Sequence, residues 1–181
     1  MTNRANSGTH QAYIAVGANL GDRIKGCRQG VELLCEAGDI MVINHSRYYY
    51  SAPMGYTDQP WFVNAVFQAA TEFAPHELLT RLKAAEAAAG RVQGGIRFGP
   101  RVLDLDLIFY DDSVIDAPEL TVPHPRMHQR AFVLKPLCDI APKLIHPVLG
   151  RTISDLLGDD AVADQQCFAV ENKVIDKKAF A

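Results

Sequence analysis

Two aspartates, Asp104 and Asp106, stand two residues apart inside the apolar run VLDLDLIFY. The run reads as a β-strand, and side chains alternate along a strand. Both acids therefore point to one face with Val102, Ile108 and Tyr110, while Leu103, Leu105, Leu107 and Phe109 share the other. Their Cα atoms lie roughly 6.5–7 Å apart. Two carboxylates this close repel each other, and more so as water is excluded, so a positive partner is needed. One candidate is the arginine set Arg91, Arg97 and Arg101 in the Gly-rich segment just upstream. The other is a divalent cation. Carboxylates without a neighbouring His or Cys are hard oxygen ligands suited to Mg²⁺ or Mn²⁺. Mg²⁺ completes its shell with water and substrate phosphates, and the arginines are then free to grip phosphate. The plainer alternative is an exposed sheet face with two solvated acids.

Two further stretches carry candidate chemistry. SAPMGYTDQPWFVN places a Pro-bounded loop before a strand in which Phe62 and Asn64 share a face. A ring beside an amide suits a flat heterocycle that stacks and hydrogen-bonds at its edge; a core Phe and a structural Asn is the plainer alternative. LTVPHPRMHQRAFVLKPL gathers His124, Arg126, His128, Arg130 and Phe132. Such a cluster suits polyphosphate, or else forms a solvated basic surface. The two histidines do not make a HExxH zinc motif, and neither a GxxxxGK[ST] loop nor a kinase signature set is present.

These residues need elements to position them. AYIAVG, residues 12–17, reads as a strand ending at a glycine. Asp22 is placed to cap a helix that runs to about Ala37 and stops at Gly38. Residues 40–52 and 61–71 read as antiparallel strands around the loop 53–60. Pro75 opens and Gly90 closes a helix. With the aspartate strand, the order is β-α-β-β-α-β. It predicts an α+β fold, a ferredoxin-like sandwich with helices on one face of an antiparallel sheet and an appended C-terminal helical region. Residues 1–11 read as a disordered leader, 12–164 as a single domain and 165–181 as a tail.

The chain has 181 residues, 48% of them hydrophobic, and a net charge of −3. One domain of this size buries enough surface to need no staple. The charge gives no electrostatic case for nucleic acid or membrane. Cys27, Cys35, Cys138 and Cys167 form no CxxC, and Cys27 falls on the apolar stripe of the first helix. Reduced thiols and a polar N-terminus without a signal-peptide core point to the cytoplasm. A monomer is the expectation, with a dimer as the alternative.

Taken together, RFGPRVLDLDLIFYDD, AYIAVGANLGDR, YYSAPMGYTDQPWFVNAV and LTVPHPRMHQRAFVLKPLCDIAP resemble the 6-hydroxymethyl-7,8-dihydropterin pyrophosphokinase family, in order and spacing, over roughly residues 12–145. The resemblance implies a ferredoxin-like fold and transfer of diphosphate from ATP to the pterin hydroxymethyl group, with release of AMP. It implies two Mg²⁺ ions held by Asp104 and Asp106. It places Arg91 and Arg101 on the transferring group. Ser51, Pro53, Met54, Phe62, Asn64 and Phe132 fall on pterin positions. Glu86, Arg97, Phe98, Leu107, Thr121, His124 and Arg130 fall on ATP positions. The deprotonating base stays open among Asp106, a metal-bound water and bulk solvent. Gln93 and Glu119 stand where relatives carry arginine, Phe98 replaces a tryptophan and Ser51 a threonine. The glycine-rich QGGI implies a more mobile lid and a weaker hold on ATP. Two rivals are a nucleotidyl- or glycosyltransferase that uses the acid pair, and a non-catalytic binding module. The first leaves Phe62, Asn64 and Phe132 unexplained. The second sets two aspartates on a face that would repel RNA.

Overall fold

A computed structural model describes residues 8–91 and 99–171. The first strand, β1, runs His10–Ala18. It starts two residues before the expected strand and inside the segment read as a leader. His10 and Gln11 continue the ladder to β4 opposite Thr71 and Ala70, and they are held from the other side by Asp111, a residue with φ of 44° beyond the aspartate strand. Its carboxylate accepts the Gln11 backbone N–H at 2.8 Å and meets His10 Nδ1 at 2.7 Å.

Helix α1, Arg23–Cys35, is capped by Asp22, whose side chain accepts the Lys25 N–H at 3.1 Å. Two strands, β2 (Ile40–His45) and β3 (Tyr49–Ser51), occupy the first β-rich run. Both pair antiparallel with β4, Phe62–Thr71. Helix α2, Pro75–Ala88, has Pro75 in its first turn, where a missing N–H costs nothing. Gly90 follows it with φ of 90°. Strand β5, Asp104–Tyr110, lies antiparallel to β1.

A hairpin of β6 (Ile115–Asp116) and β7 (Thr121–Val122) leads to helix α3, Ala131–Ile140. Short helices α4 (Ile153–Leu157) and α5 (Asp160–Ala163) come next. Strand β8, Cys167–Ala169, pairs with β3, so the segment read as a tail supplies an edge of the sheet. The order is β5-β1-β4-β3-β8, with β2 also paired to β4.

The sheet has two unlike faces. One packs against α1 and α2. Ala12, Ile14 and Val16, Val63, Ala65 and Phe67, and Leu103, Leu105 and Leu107 meet Cys27, Val31, Leu78 and Leu82 there. The contact is close: a Cβ on Gly30 of α1 would lie 2.5 Å from Leu103 Cδ1. The other face carries Tyr49, Val66, Ile108 and Phe109 under Val133, Leu134 and Leu137 of α3 and Ile153 and Leu156 of α4. Helices thus cover both faces, not one. Regular alternation also fails at the end of β5. Ile14 pairs with Leu107 but Tyr13 with Phe109, a bulge that leaves Ile108 as the extra residue. Beyond it Phe109 turns to the second face and Tyr110 to the first, the reverse of strict alternation.

Candidate active site

On the second face, register brings the candidate residues together. Gly17 of β1 pairs with Asp104 on one side and Asn64 on the other. Ala15 likewise lies between Asp106 and Val66. The middle strand thus contributes almost no side chain between two polar flanks. The result is a cleft of about 440 Å³ floored by Ala15 and Gly17. A Cβ on Gly17 would lie 2.8 Å from Asn64 Oδ1, so any larger residue there would push the Asn64 amide aside.

The acid flank is densely paired. Arg91 Nη1 donates to Asp104 Oδ1 at 2.6 Å, and Arg101 Nη1 to Asp104 Oδ2 at 2.5 Å. Behind them, Glu86 is 2% exposed. It accepts the Leu105 backbone N–H at 2.7 Å and Lys83 Nζ at 3.1 Å, and it pairs with Arg91. Burial pushes the Glu86 carboxyl up, opposed by the Leu105 N–H, Lys83 and Arg91. Glu86 therefore ties the end of α2 to β5 and aims Arg91 at Asp104. The Asp106 carboxylate carries no hydrogen bond among the described residues.

The other flank holds the ring and amide residues. Asn64, 7% exposed, donates from Nδ2 to Ser51 Oγ at 2.9 Å. Phe62, Ser51 and Met54 line the same side, and Phe132 enters from the start of α3. Between the flanks stands a basic wall. The His124 N–H donates to the Ile108 carbonyl at 3.0 Å, which docks this segment beside β5. Arg130 lies over the Phe132 ring at 5.4 Å. Burial pulls His124 down, with Asp106 opposing and Arg130 and Arg126 adding. Burial and Arg126 also pull Arg130 down. In the cleft Lys83, Arg91, Arg101, Arg126 and Arg130 outnumber Asp104 and Asp106, which favours an anionic ligand.

The cleft thus unites Ser51, Met54, Phe62, Asn64, Arg91, Arg101, Asp104, Asp106, His124, Arg130 and Phe132. It does not take in Pro53, which is half-buried in the loop between Ser51 and Met54. Thr121 lies half-buried in the β6–β7 hairpin. The Leu107 side chain is 4% exposed in the first-face core, as its place among the leucines requires, and is not in the cleft. Glu119 is exposed at the turn before β7. Gln93, Arg97 and Phe98 lie outside the described residues. Sequence reasoning missed Lys83, whose signal was its place one helical turn before Glu86. It also missed Ala15 and Gly17, whose signal was two small residues at strand spacing.

The donor set suits a hard cation that is only partly held by protein. Asp104 and Asp106 share one strand face, and among the described residues no group of three or more His, Cys, Asp or Glu side chains is placed to hold a metal ion by itself. Such a pair leaves most of a coordination shell to phosphate and water, as Mg²⁺ prefers. The arginines on Asp104 are then available to phosphate.

The geometry agrees with what the chain is similar to. It is 40% identical over 147 residues to the 2-amino-4-hydroxy-6-hydroxymethyldihydropteridine pyrophosphokinase of Methylorubrum extorquens, covering 81% of this chain and 91% of that protein. It is 42% identical over 167 residues to the folic acid synthesis protein fol1 of Pneumocystis carinii, covering 91% of this chain. The chain spans only 22% of that longer relative. It also spans only 23% of the mitochondrial folate synthesis bifunctional protein of Arabidopsis thaliana, at 45% identity over 131 residues. The crystal structure of wild-type Plasmodium falciparum HPPK-DHPS shares the fold, with a TM-score of 0.65 at 16% identity over 84% of this chain and 45% of that one. The family model for 7,8-dihydro-6-hydroxymethylpterin-pyrophosphokinase matches residues 13–142, which include both flanks, the floor and the basic wall. The chain belongs to the 7,8-dihydro-6-hydroxymethylpterin-pyrophosphokinase family.

Proposed function

We propose that the chain transfers diphosphate from ATP to the hydroxymethyl oxygen of 6-hydroxymethyl-7,8-dihydropterin. That oxygen forms a bond to the β-phosphorus, the bond from the β-phosphorus to the bridging oxygen breaks, AMP leaves and the hydroxyl proton is lost. One observation carries the reading. A ring-and-amide flank and an acid-and-cation flank share one floor, separated only by Gly17 and Ala15. A flat heterocycle on the first flank is thereby set beside a polyphosphate on the second. Proximity of this kind supplies much of the rate in a reaction with little covalent help from protein.

Phe62 and Phe132 would stack on the pterin, and Asn64 and Ser51 would read its edge. Arg91, Arg101, Lys83 and Arg130 would hold the phosphates, with His124 beside Asp106. Asp104 and Asp106 would hold Mg²⁺, two ions in this reading, which neutralises phosphate charge when bound. The β-α-β-β-α-β core is read as a ferredoxin-like sandwich, acting as a cytoplasmic monomer.

The test is which nucleotide appears when the protein meets ATP, Mg²⁺ and the pterin. Pterin-dependent AMP is expected. ADP would mean an ordinary kinase, and absence of turnover a binding module.

A further inference from the structure

Asn19 follows the last residue of β1 and is 2% exposed. It does not line the cleft, yet its amide touches both walls. On one side, Oδ1 accepts the Arg101 backbone N–H at 2.7 Å, and the Asn19 backbone N–H donates to the Arg101 carbonyl at 3.0 Å. The Arg101 backbone is gripped at both of its polar groups, at the root of the side chain whose guanidinium pairs with Asp104. On the other side, Nδ2 donates to Gln59 Oε1 at 2.9 Å and to the Pro60 carbonyl at 3.1 Å. Those residues end the loop that begins at Ser51 and Met54, and they immediately precede Trp61 and Phe62. Gln59 is itself tied back into the loop through Nε2 to the Tyr56 carbonyl at 2.6 Å.

Only an amide fits this place. It needs an acceptor aimed at one wall and two donors aimed at the other, all buried. An aspartate keeps the acceptor and lacks both donors; a serine is too short and has one donor.

We infer that Asn19 is a positioning residue that ties the pterin-side loop to Arg101, so that seating the heterocycle and orienting Arg101 are coupled. This deepens the proposed activity and rests on it. Coupling between two subsites is reciprocal: if the pterin tightens nucleotide binding, nucleotide tightens pterin binding by the same factor. The link should therefore appear as a binding factor that depends on Asn19 and Gln59, neither of which lines the cleft.

The experiment uses the full chain. Pterin affinity is measured by calorimetry with and without Mg²⁺ and α,β-methylene-ATP, alongside kcat, both KM values and the melting temperature. In wild type each ligand is expected to tighten the other. In Asn19→Asp, which loses two buried hydrogen bonds, the mutual tightening should fall about tenfold, with kcat falling in parallel. In Gln59→Ala, which removes the bond from Asn19 and the bond to the Tyr56 carbonyl at a half-buried loop residue, the fall should be about threefold with the fold kept. If Asn19→Asp does not fold, Gln59→Ala decides alone. Coupling and kcat within twofold of wild type in the folded variants, or a loss confined to melting temperature, would overturn the inference. A wild type that makes no pterin-dependent AMP would instead overturn the activity on which it rests, and the inference with it.

Discussion

The two faces of the sheet are built from the same strands yet do different work. On the α1–α2 face, alternate positions of β1, β4 and β5 are filled by Ile14, Val16, Val63, Phe67, Leu105 and Leu107, with Leu103 just before β5, and the interior is apolar. On the other face the same strands present Ala15, Gly17, Asn64, Asp104 and Asp106 at one end and Val66, Ile108 and Phe109 at the other. Helices α3 and α4 cover the apolar end. The polar end stays open because its middle strand has no bulk to fill it. A binding site here is a core position from which side chains have been removed, flanked by groups that a filled core could not tolerate. The dry face supplies the rigidity on which those groups are held.

If this division is right, damage to each face should be read by a different assay. The largest effect is expected at the open end. Asp106→Ala should lower AMP formation by about 10²–10³-fold. Its urea midpoint should not fall, because the carboxylate makes no hydrogen bond among the described residues. An active variant would sink the assignment of this flank. Next comes the dry face. Leu82, 0% exposed, should cost about 3 kcal/mol when cut to alanine. The folded fraction should keep its kcat, measured after active-site titration. A matching loss of kcat would mean that the faces are not separable. Smaller again is Gly17→Ala. The new Cβ meets the movable Asn64 amide and not backbone, so it should raise the pterin KM about tenfold, leave the ATP KM within twofold and move the melting temperature little.

Much of this division was legible in the sequence, for stated reasons. Strand alternation set Asp104 and Asp106 apart from Leu103 and Leu105, and the structure keeps them apart. Phe62 and Asn64, two apart, do share the cleft. Asp22 caps its helix, because a cap is a local interaction between near neighbours. What failed was non-local. The bulge opposite Ile108 arises from pairing with Tyr13 and Ile14, about a hundred residues away in the chain, and it reversed the places of Phe109 and Tyr110. Strand β8 exists because β3 offers it an edge, and nothing within CFA announces that. Asn19 was unreadable for the same reason: its partners, Gln59, Pro60 and Arg101, meet only in the folded chain.

The smallest expected effect separates the faces by pH. The first face buries no histidine among its described residues, whereas the second buries His146 at 5% exposure. Its ring packs edge-on against Phe109 at 5.6 Å and lies 6.3 Å from His128. The backbone N–H groups of Val148 and Leu149 point at its Nδ1, at 3.3 Å each. That nitrogen acts as an acceptor, so the site is built for the neutral ring. Burial first, and then His128, pull its pKa below the ordinary 6.5. The unfolded chain therefore binds this proton more readily than the folded one. Stability from His146 is complete above about pH 6.5 and is lost as the pH falls from there toward the lowered folded value. The loss should begin on one face. Hydrogen exchange at pH 5 should show α3 and α4 losing protection relative to pH 7 before α1 and α2 do. His146→Asn, whose side-chain oxygen can take the place of Nδ1, should flatten the difference. Equal loss on both faces, or a wild-type slope in the variant, would show that the two faces answer to acid as one unit.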